Sequence, residues 1–127
     1  MKANHILLID DNDIDNYINN HIISEHKIAE RISIKNSAID ALDYLQAIDD
    51  AAFPDLIFLD ISMPRMDGFG FLEALAKLPN AREKKCSVVM LTSSNSPEDR
   101  ERAMNYDVVI DYFVKPLDDA MLQSLPE

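Results

Sequence analysis

Short apolar runs alternate along the chain with longer segments in which apolar residues recur at helical spacing. The apolar runs are HILLI (5–9), RISIK (31–35), LIFL (56–59), VVML (88–91) and YFV (112–114). Three of them carry β-branched or aromatic residues with little polar alternation, which is typical of strands buried on both faces of a parallel sheet. We therefore predict a strand at each of the five runs.

Between these runs the sequence has the periodicity of amphipathic helices. In four segments the apolar residues would share one helical face, and these are Ile14, Tyr17, Ile18, His21 and Ile22; Ala38, Ala41, Leu42 and Leu45; Phe69, Leu72, Leu75 and Ala76; and Leu117, Met121, Leu122 and Leu125. Another helix, the fourth in chain order, is predicted near residues 97–105, with Ser96 as N-cap and Pro97 in the first turn. Its EDRER segment offers little apolar surface, so we expect it to be the most loosely packed helix.

The alternation of strands and helices predicts the fold class. The order βαβαβαβαβα indicates an open, doubly wound α/β sheet with right-handed crossovers and helices on both faces. A chain of 127 residues is long enough for one such domain and too short for two. We therefore expect residues 1–127 to form a single domain.

Charge and composition narrow the classes of function. Lys and Arg number 12 against 23 Asp and Glu, giving a formal net charge of -11, so binding to nucleic acid or an anionic membrane is not expected. The single cysteine, Cys86, excludes an internal disulfide and is expected to be packed. With no signal peptide pattern and no run that approaches a membrane span, we expect a cytoplasmic protein.

Polar residues follow four of the predicted strands directly. Asp10 and Asp11 follow the first, Asp60 the third, Thr92 the fourth and Lys115 the fifth. Ligands of doubly wound sheets bind outside the carboxyl ends of the strands, where these residues would converge. Three carboxylates suit a hard divalent cation such as Mg²⁺, which would admit a phosphate group, and the Lys115 ammonium could pair with a phosphate oxygen.

Two more acids in the same stretch have a simpler interpretation. Asp13 and Asp15 are expected to serve only the first helix, as N-cap and first-turn acid, and not as ligands. An EF-hand is excluded, because Asn16 stands where that loop needs glycine and Ile22 where it needs the bidentate Glu.

Four motifs in order make the chain similar to a known family. LLIDD, PDLIFLDISMPRMDG, VVMLTSS and YFVKPL resemble the receiver domain of two-component response regulators, of the single-domain chemotaxis type, over essentially the whole length. The resemblance implies a flavodoxin-like sheet of strand order 2-1-3-4-5. It also implies a signalling domain that catalyses its own phosphorylation and dephosphorylation and is not a turnover enzyme on external substrates.

The resemblance further implies a role for each acid. Asp60 would be the phosphoacceptor, taking a phosphoryl group from a phosphohistidine on a sensor histidine kinase or histidine phosphotransfer protein. Asp11 would be a direct ligand of Mg²⁺ (or Mn²⁺) and Asp10 a water-mediated one. Asp60 and the backbone carbonyl of Ser62 would complete the protein's share of the metal shell.

The same resemblance implies how the signal is read. Thr92 would hydrogen-bond the phosphoryl group, Lys115 would pair with it, and Tyr112 would be the aromatic switch behind the threonine. The readout surface would be the fourth helix, fifth strand and fifth helix, toward a downstream protein or a second copy in a homodimer. The segment NYDVVID (105–111) departs from the small Gly-Ala pair that many receivers have before the fifth strand.

Two other functions remain open from the sequence. A metal-dependent phosphatase of the haloacid dehalogenase type is suggested by Asp11-Asn12-Asp13-Ile14 after an apolar run, but it leaves LDISMP unexplained. A pseudo-receiver that binds a partner without being phosphorylated is the third hypothesis, against which the presence of Asp11, Asp60, Thr92 and Lys115 argues.

Overall fold

The predicted strands and helices are present in the computed structural model, which describes residues 2–79, 81 and 86–126. The strands are β1 (Ala3–Ile9), β2 (Ala29–Lys35), β3 (Leu56–Leu59), β4 (Ser87–Thr92) and β5 (Val109–Val114). The helices of the described residues are α1 (Asp13–Glu25), α2 (Ala38–Ala47), α3 (Gly68–Leu75), α4 (Pro97–Met104) and α5 (Asp119–Gln123), with a 3₁₀ turn at Asp50–Ala52. All strands except β3 begin before the first residue predicted, and β5 takes in part of the NYDVVID segment.

The strands form one parallel sheet in the order β2-β1-β3-β4-β5, which confirms the predicted fold class and order. The connections from β1 and β3 leave in opposite directions, so the crevice of the sheet lies between these two strands. Ile9 is in register with Leu59, and the N–H of Asp60 donates to the carbonyl of Ile9 at 3.0 Å. The residues that follow β1 and β3 are therefore side by side.

Two apolar layers enclose the sheet. On one face, residues such as Leu7, Ile57 and Met90 pack against α2, α3 and α4. On the other, Leu8, Phe58 and their neighbours pack with residues of α1 and α5. Each such fully buried side chain contributes about 1.5–3 kcal/mol relative to an exposed one, and the two layers hold the strand ends in fixed positions.

The predicted buried face of α1 is wrong. Ile14 and Tyr17 are 71% and 75% exposed, and Ile18 is exposed as well, whereas Asn16 and Asn19 are buried together with Ile23. The amide Nδ2 of Asn16 donates to the carbonyl of Asp10 at 2.8 Å, so the asparagine on the inner side of the helix has a partner at the end of β1. The helix packs with Asn16 and Asn19 on its buried side and leaves an apolar stripe on the surface.

The N-cap of α1 also differs from the prediction. Asn12, not Asp13, is the cap, and its Oδ1 accepts from the N–H groups of Ile14 and Asp15 at 3.0 Å each. Asp13 is the first helical residue, where its charge suits the helix dipole. The capping bonds fix the first turn of α1 beside the end of β1.

The other helices follow the predicted pattern more closely. The α2 face is buried as predicted, while Ala76 lies past the end of α3 and is exposed. In α4 the Ser96 hydroxyl accepts from the N–H of Asp99 as an N-cap, Pro97 follows, and Ala103 is the one buried residue of this fully described helix. No helix of the described residues is long and apolar enough to cross a membrane.

Cys86 is packed, as expected. Its thiol lies against the core, where burial raises the pKa to about 12. At neutral pH the group is therefore a thiol of low nucleophilicity.

The turn from β3 into α3 leaves no room for a side chain at Gly68. A Cβ there would lie 2.5 Å from the carbonyl oxygen of Asp60 and 2.9 Å from Cα of Ile61, both backbone atoms. The N–H of Gly68 donates to the carbonyl of Ile61 at 2.7 Å. By contrast, a Cβ at Gly70 would meet the flexible side chain of Met66.

We predict that Gly68→Ala destabilises the fold by about 1–3 kcal/mol, because the backbone of Asp60 must move. The matched variant Gly70→Ala, also in α3, should be neutral or gain about 0.5–1 kcal/mol from helix propensity. Urea unfolding of the three proteins measures both effects. Equal stability of the two variants would contradict the tight approach at Gly68.

A buried histidine links β1 and β2. The Nδ1 of His5 lies 2.7 Å from the carbonyl of Ala52 and must donate to it, so Nε2 accepts from the Ser33 hydroxyl, also at 2.7 Å. Burial lowers the pKa of His5 from 6.5, although the Ala52 hydrogen bond opposes the shift. The folded protein therefore holds this ring neutral where the unfolded chain takes up a proton.

We predict that His5 makes the free energy of unfolding depend on pH. It should be constant above the ordinary histidine pKa and should fall by up to about 1 kcal/mol as the pH drops from about 7.5 to about 5.5. The sign follows because the unfolded state binds more protons over this range. In His5→Gln this part of the loss should vanish, as measured by urea unfolding at each pH. Parallel losses in parent and variant would show that other groups cause the effect.

Candidate functional site

Three carboxylates meet where β1 and β3 end. Asp10, Asp11 and Asp60 each offer an oxygen, and these oxygens all lie within 4.8 Å of one another. Asp10 and Asp60 are buried, while Asp11 is exposed at the rim. The convergence predicted from the sequence is therefore present, and the set has the oxygen chemistry that divalent cations prefer.

Backbone groups hold the two buried acids. Oδ1 of Asp10 accepts from the N–H of Asn12 at 3.0 Å, and Oδ1 of Asp60 accepts from the N–H of Ile61 at 2.8 Å. Each carboxylate thus has one oxygen fixed by the chain that follows its strand. The second oxygen of each, Oδ2, faces Lys115.

Lys115 places a single ammonium group among the acids. Its Nζ lies 2.5 Å from Oδ2 of Asp10, 2.9 Å from Oδ2 of Asp15 and 3.7 Å from Oδ2 of Asp60. Burial alone would lower the pKa of Lys115, but the hydrogen bonds to Asp10 and Asp15 outweigh it and the pKa is raised. The interpretation of Asp15 as a purely helical residue is therefore wrong.

The surroundings of Asp60 disfavour the ionised form of its carboxyl group. Burial raises its pKa above 3.8, and the Asp10 carboxylate raises it further. The charge of Lys115 and hydrogen bonds with Thr92 and the Ile61 backbone oppose the shift. A cation added here would stabilise the ionised form of Asp60, which is the nucleophilic one.

Thr92 and Tyr112 lie on the adjacent strands β4 and β5, where Thr92 pairs with Val114 and Tyr112 with Met90. Thr92 is fully buried at the end of β4, and the carbonyl of Thr92 accepts from the N–H of Lys115 at 2.8 Å. The Tyr112 side chain is buried, and its hydroxyl donates to the carbonyl of Ser94 at 2.9 Å. The ring therefore lies inward, behind the loop that follows Thr92.

Arg100 of α4 holds Tyr112 from outside. Its guanidinium donates to the carbonyl of Tyr112 at 3.2 Å and lies 5.7 Å from the centre of the tyrosine ring. Arg100 gives no signal of this contact in the sequence, because EDRER has the charge pattern of a solvated helix surface. The neighbouring Ser94 hydroxyl donates to Asp99 at 2.7 Å, so α4 has one polar connection to β5 and one to the loop that follows β4.

An open cleft of about 460 Å³ leads to the carboxylates. Asp11 and Ser62 line it together with Ile61, Met63, Pro64 and Asp67. Arg65, in the same loop, has a φ of 70°, a left-handed conformation that costs a non-glycine residue energy. The cleft opens Asp11 and the loop after β3 to solvent.

The phosphatase motif does not converge at this site. Asp13 instead lines a different open cleft with Asp40 and Asp43, beyond the end of β2. The pairing of Asp11 with Asp13 that such an enzyme needs is thus absent from the described geometry. Asp60 takes part in the acidic cluster in its place.

Comparison with known proteins gives a family for this geometry. The sequence profile of the response regulator receiver domain matches residues 6–125. A protein-glutamate methylesterase/protein-glutamine glutaminase of Escherichia coli (strain K12) is 31% identical over 118 residues, which are 91% of this chain and 31% of that protein. The chain therefore spans about a third of this relative.

Solved structures share the fold. A two-component response regulator from Cytophaga hutchinsonii is 32% identical with a TM-score of 0.84, covering 97% of this chain and 93% of that one. The receiver domain of a sensor histidine kinase from Pseudomonas aeruginosa PAO1 is 23% identical with a TM-score of 0.77, covering 95% and 92%; it was solved with a magnesium ion coordinated in its active site cleft. By its profile, fold and acidic cluster, this chain belongs to the receiver domains of two-component response regulators.

Proposed function

We propose that this receiver domain is activated by phosphorylation of Asp60, with the phosphoryl group coming from a phosphohistidine on a sensor histidine kinase or histidine phosphotransfer protein. The observation that carries the proposal is the position of Asp60. It is buried at the crevice of the sheet, beside Asp10 and Asp11 and 3.7 Å from the Lys115 ammonium. The proposal includes a cytoplasmic location, as expected from the sequence.

Transfer of the phosphoryl group to Asp60 needs only one covalent step from the protein. An oxygen of Asp60 would form a bond to phosphorus while the bond from phosphorus to the histidine nitrogen breaks, and the nitrogen leaves with the electron pair. The product is an acyl phosphate on Asp60. Positioning and neutralisation of the phosphoryl oxygens supply most of the rate, for which Lys115 and the Thr92 hydroxyl are suitably placed.

The carboxylates fit a divalent cation. Asp11 and Asp60 would bind Mg²⁺ (or Mn²⁺) directly, Asp10 through water, and the carbonyl of Ser62 would add a neutral oxygen from the wall of the cleft. Bound metal would supply positive charge for the phosphoryl oxygens. The magnesium ion in the Pseudomonas aeruginosa structure supports this assignment.

The phosphoryl group would act by a shift of populations toward the state in which Thr92 and Lys115 contact it. Tyr112 and the loop after Thr92 are connected to α4 through Arg100 and Asp99. With Ala103 as its one buried residue, α4 can respond at low energetic cost. The readout surface would be α4, β5 and α5, for a downstream protein or for a homodimer.

The phosphodonor would approach beside α1. Ile14, Tyr17 and Ile18 form an exposed apolar stripe, and Asp15 in the same helix contacts Lys115 of the site. Exposed apolar patches next to a reaction site are typical of protein interaction surfaces. A donor helix on this stripe would bring its phosphohistidine over the cleft.

The role of Asp60 as phosphoacceptor can be tested directly. Incubation with acetyl phosphate and Mg²⁺ should add one phosphoryl group to the parent protein, as read by intact-protein mass spectrometry, and none to Asp60→Asn. Omission of Mg²⁺ should reduce the adduct strongly, because three carboxylates would face the incoming anion. Asp43→Asn, an exposed acid of α2, is the matched control and should behave like the parent. An adduct that persists in Asp60→Asn, or no adduct at all, would favour another acceptor or the pseudo-receiver.

A second prediction separates acceptance from readout. Lys115→Ala and Thr92→Ala should still accept phosphate, since neither side chain attacks phosphorus, although more slowly because each removes a partner of the phosphoryl oxygens. Once phosphorylated, both should lack most of the response in α4. Amide hydrogen exchange of residues 93–104 before and after phosphorylation measures that response. Lys77→Ala, at an exposed position, serves as control. If hydrogen exchange in either variant changed on phosphorylation as much as in the parent, that side chain would not be needed to transmit the signal to α4.

A further inference from the structure

Lys115 has a partner that the proposed phosphoryl chemistry does not use. Oδ2 of Asp15 lies 2.9 Å from Nζ, closer than the 3.7 Å to Asp60. The two residues are 100 positions apart in the chain, on α1 and after β5, and only the fold brings them together. Asp13, in the same helical turn, makes no ion pair among the described residues.

The position of Asp15 is fixed from two sides. Its N–H donates to the capping oxygen of Asn12 at 3.0 Å, and the adjacent Asn16 is bonded to the carbonyl of Asp10. Because the first turn of α1 is held to the end of β1, the carboxylate of Asp15 stays within reach of Lys115. The side chain is 34% exposed, so water weakens the pair but does not remove it.

The donors of Lys115 explain what this contact does. A lysine ammonium has three N–H donors. Two are directed to Asp10 and Asp15, and Asp60 at 3.7 Å is beyond hydrogen-bond distance. One N–H donor remains for a phosphoryl oxygen on Asp60, and the contact to Asp15 holds the ammonium nearer to the α1 carboxylate than to Asp60.

We propose that Asp15 is a positioning residue that holds the Lys115 ammonium away from Asp60 and thereby restrains phosphorylation. This inference rests on the proposed function of Asp60. A phosphoryl group on Asp60 competes with Asp15 for the charge of the same ammonium, so the Asp15 contact lowers the energy that Lys115 contributes at the phosphoryl oxygens. The pair thus sets how readily the site is phosphorylated without touching the reacting atoms.

The test is the rate of phosphorylation by acetyl phosphate at saturating Mg²⁺, followed by intact-protein mass spectrometry. Asp15→Asn should be phosphorylated about threefold to tenfold faster than the parent, the range for loss of a partly exposed charge-assisted contact. Asp15→Glu, which keeps the carboxylate, should remain near the parent rate. Asp13→Asn removes the same charge from the same turn and should also stay near the parent, which separates positioning from general repulsion.

A crystal structure of Asp15→Asn gives the second readout. The distance from Nζ of Lys115 to Oδ2 of Asp60 should shorten into hydrogen-bond range, a change that a merely structural role for Asp15 does not predict. An unchanged rate, an equal increase in Asp13→Asn, or an unmoved Lys115 would overturn the inference while the phosphoacceptor role stands. If the parent takes no phosphoryl group, the proposed function itself fails, and the restraint on it fails too.

Discussion

The repulsion among the carboxylates at the crevice of the sheet is the constraint on which this structure depends. Asp10 and Asp60 are both buried, and an oxygen of each lies within 4.8 Å of the other. Burial and the Asp10 carboxylate both raise the pKa of Asp60. The fold offsets the repulsion with two backbone N–H groups and with the ammonium of Lys115. The position of Lys115 therefore affects both buried acids.

Strand register is what makes so crowded a site reproducible. Parallel pairing of Ile9 with Leu59 and of Thr92 with Val114 sets the heights at which the polar residues leave the sheet. The close approach of Gly68 to the backbone of Asp60 closes the loop on the opposite side. A site built in this way has little tolerance for changes in the chain path, although Asp11 at its rim lines an open cleft.

Much of this architecture is predictable from the sequence, for identifiable reasons. The strands of an all-parallel sheet are buried on both faces, so they are visible as apolar runs, and the topology then brings Asp10, Asp60 and Lys115 to one edge. The orientation of α1 is not predictable in this way, because its apolar periodicity does not show that Asn16 finds a hydrogen-bond partner in the carbonyl of Asp10.

The contacts of Asp15 and Arg100 depend on orientations of this kind. The pairing of Asp15 with Lys115 follows from the rotation of α1, and a residue 100 positions away gives no local signal of it. Arg100 resembles any surface charge until α4 is placed against β5. Hydrophobic periodicity shows how much apolar surface a helix has. It does not show which of its polar side chains will find a hydrogen-bond partner in the folded protein.

The inverted orientation of α1 also affects how the molecules behave toward one another. A permanent apolar stripe of Ile14, Tyr17 and Ile18 favours self-association, whereas a net charge of -11 makes copies repel at distances up to the screening length. Charge repulsion, and not the absence of exposed apolar surface, therefore keeps copies of the protein apart. Ionic strength, which shortens the reach of that repulsion, becomes a variable as important for handling this protein as its concentration.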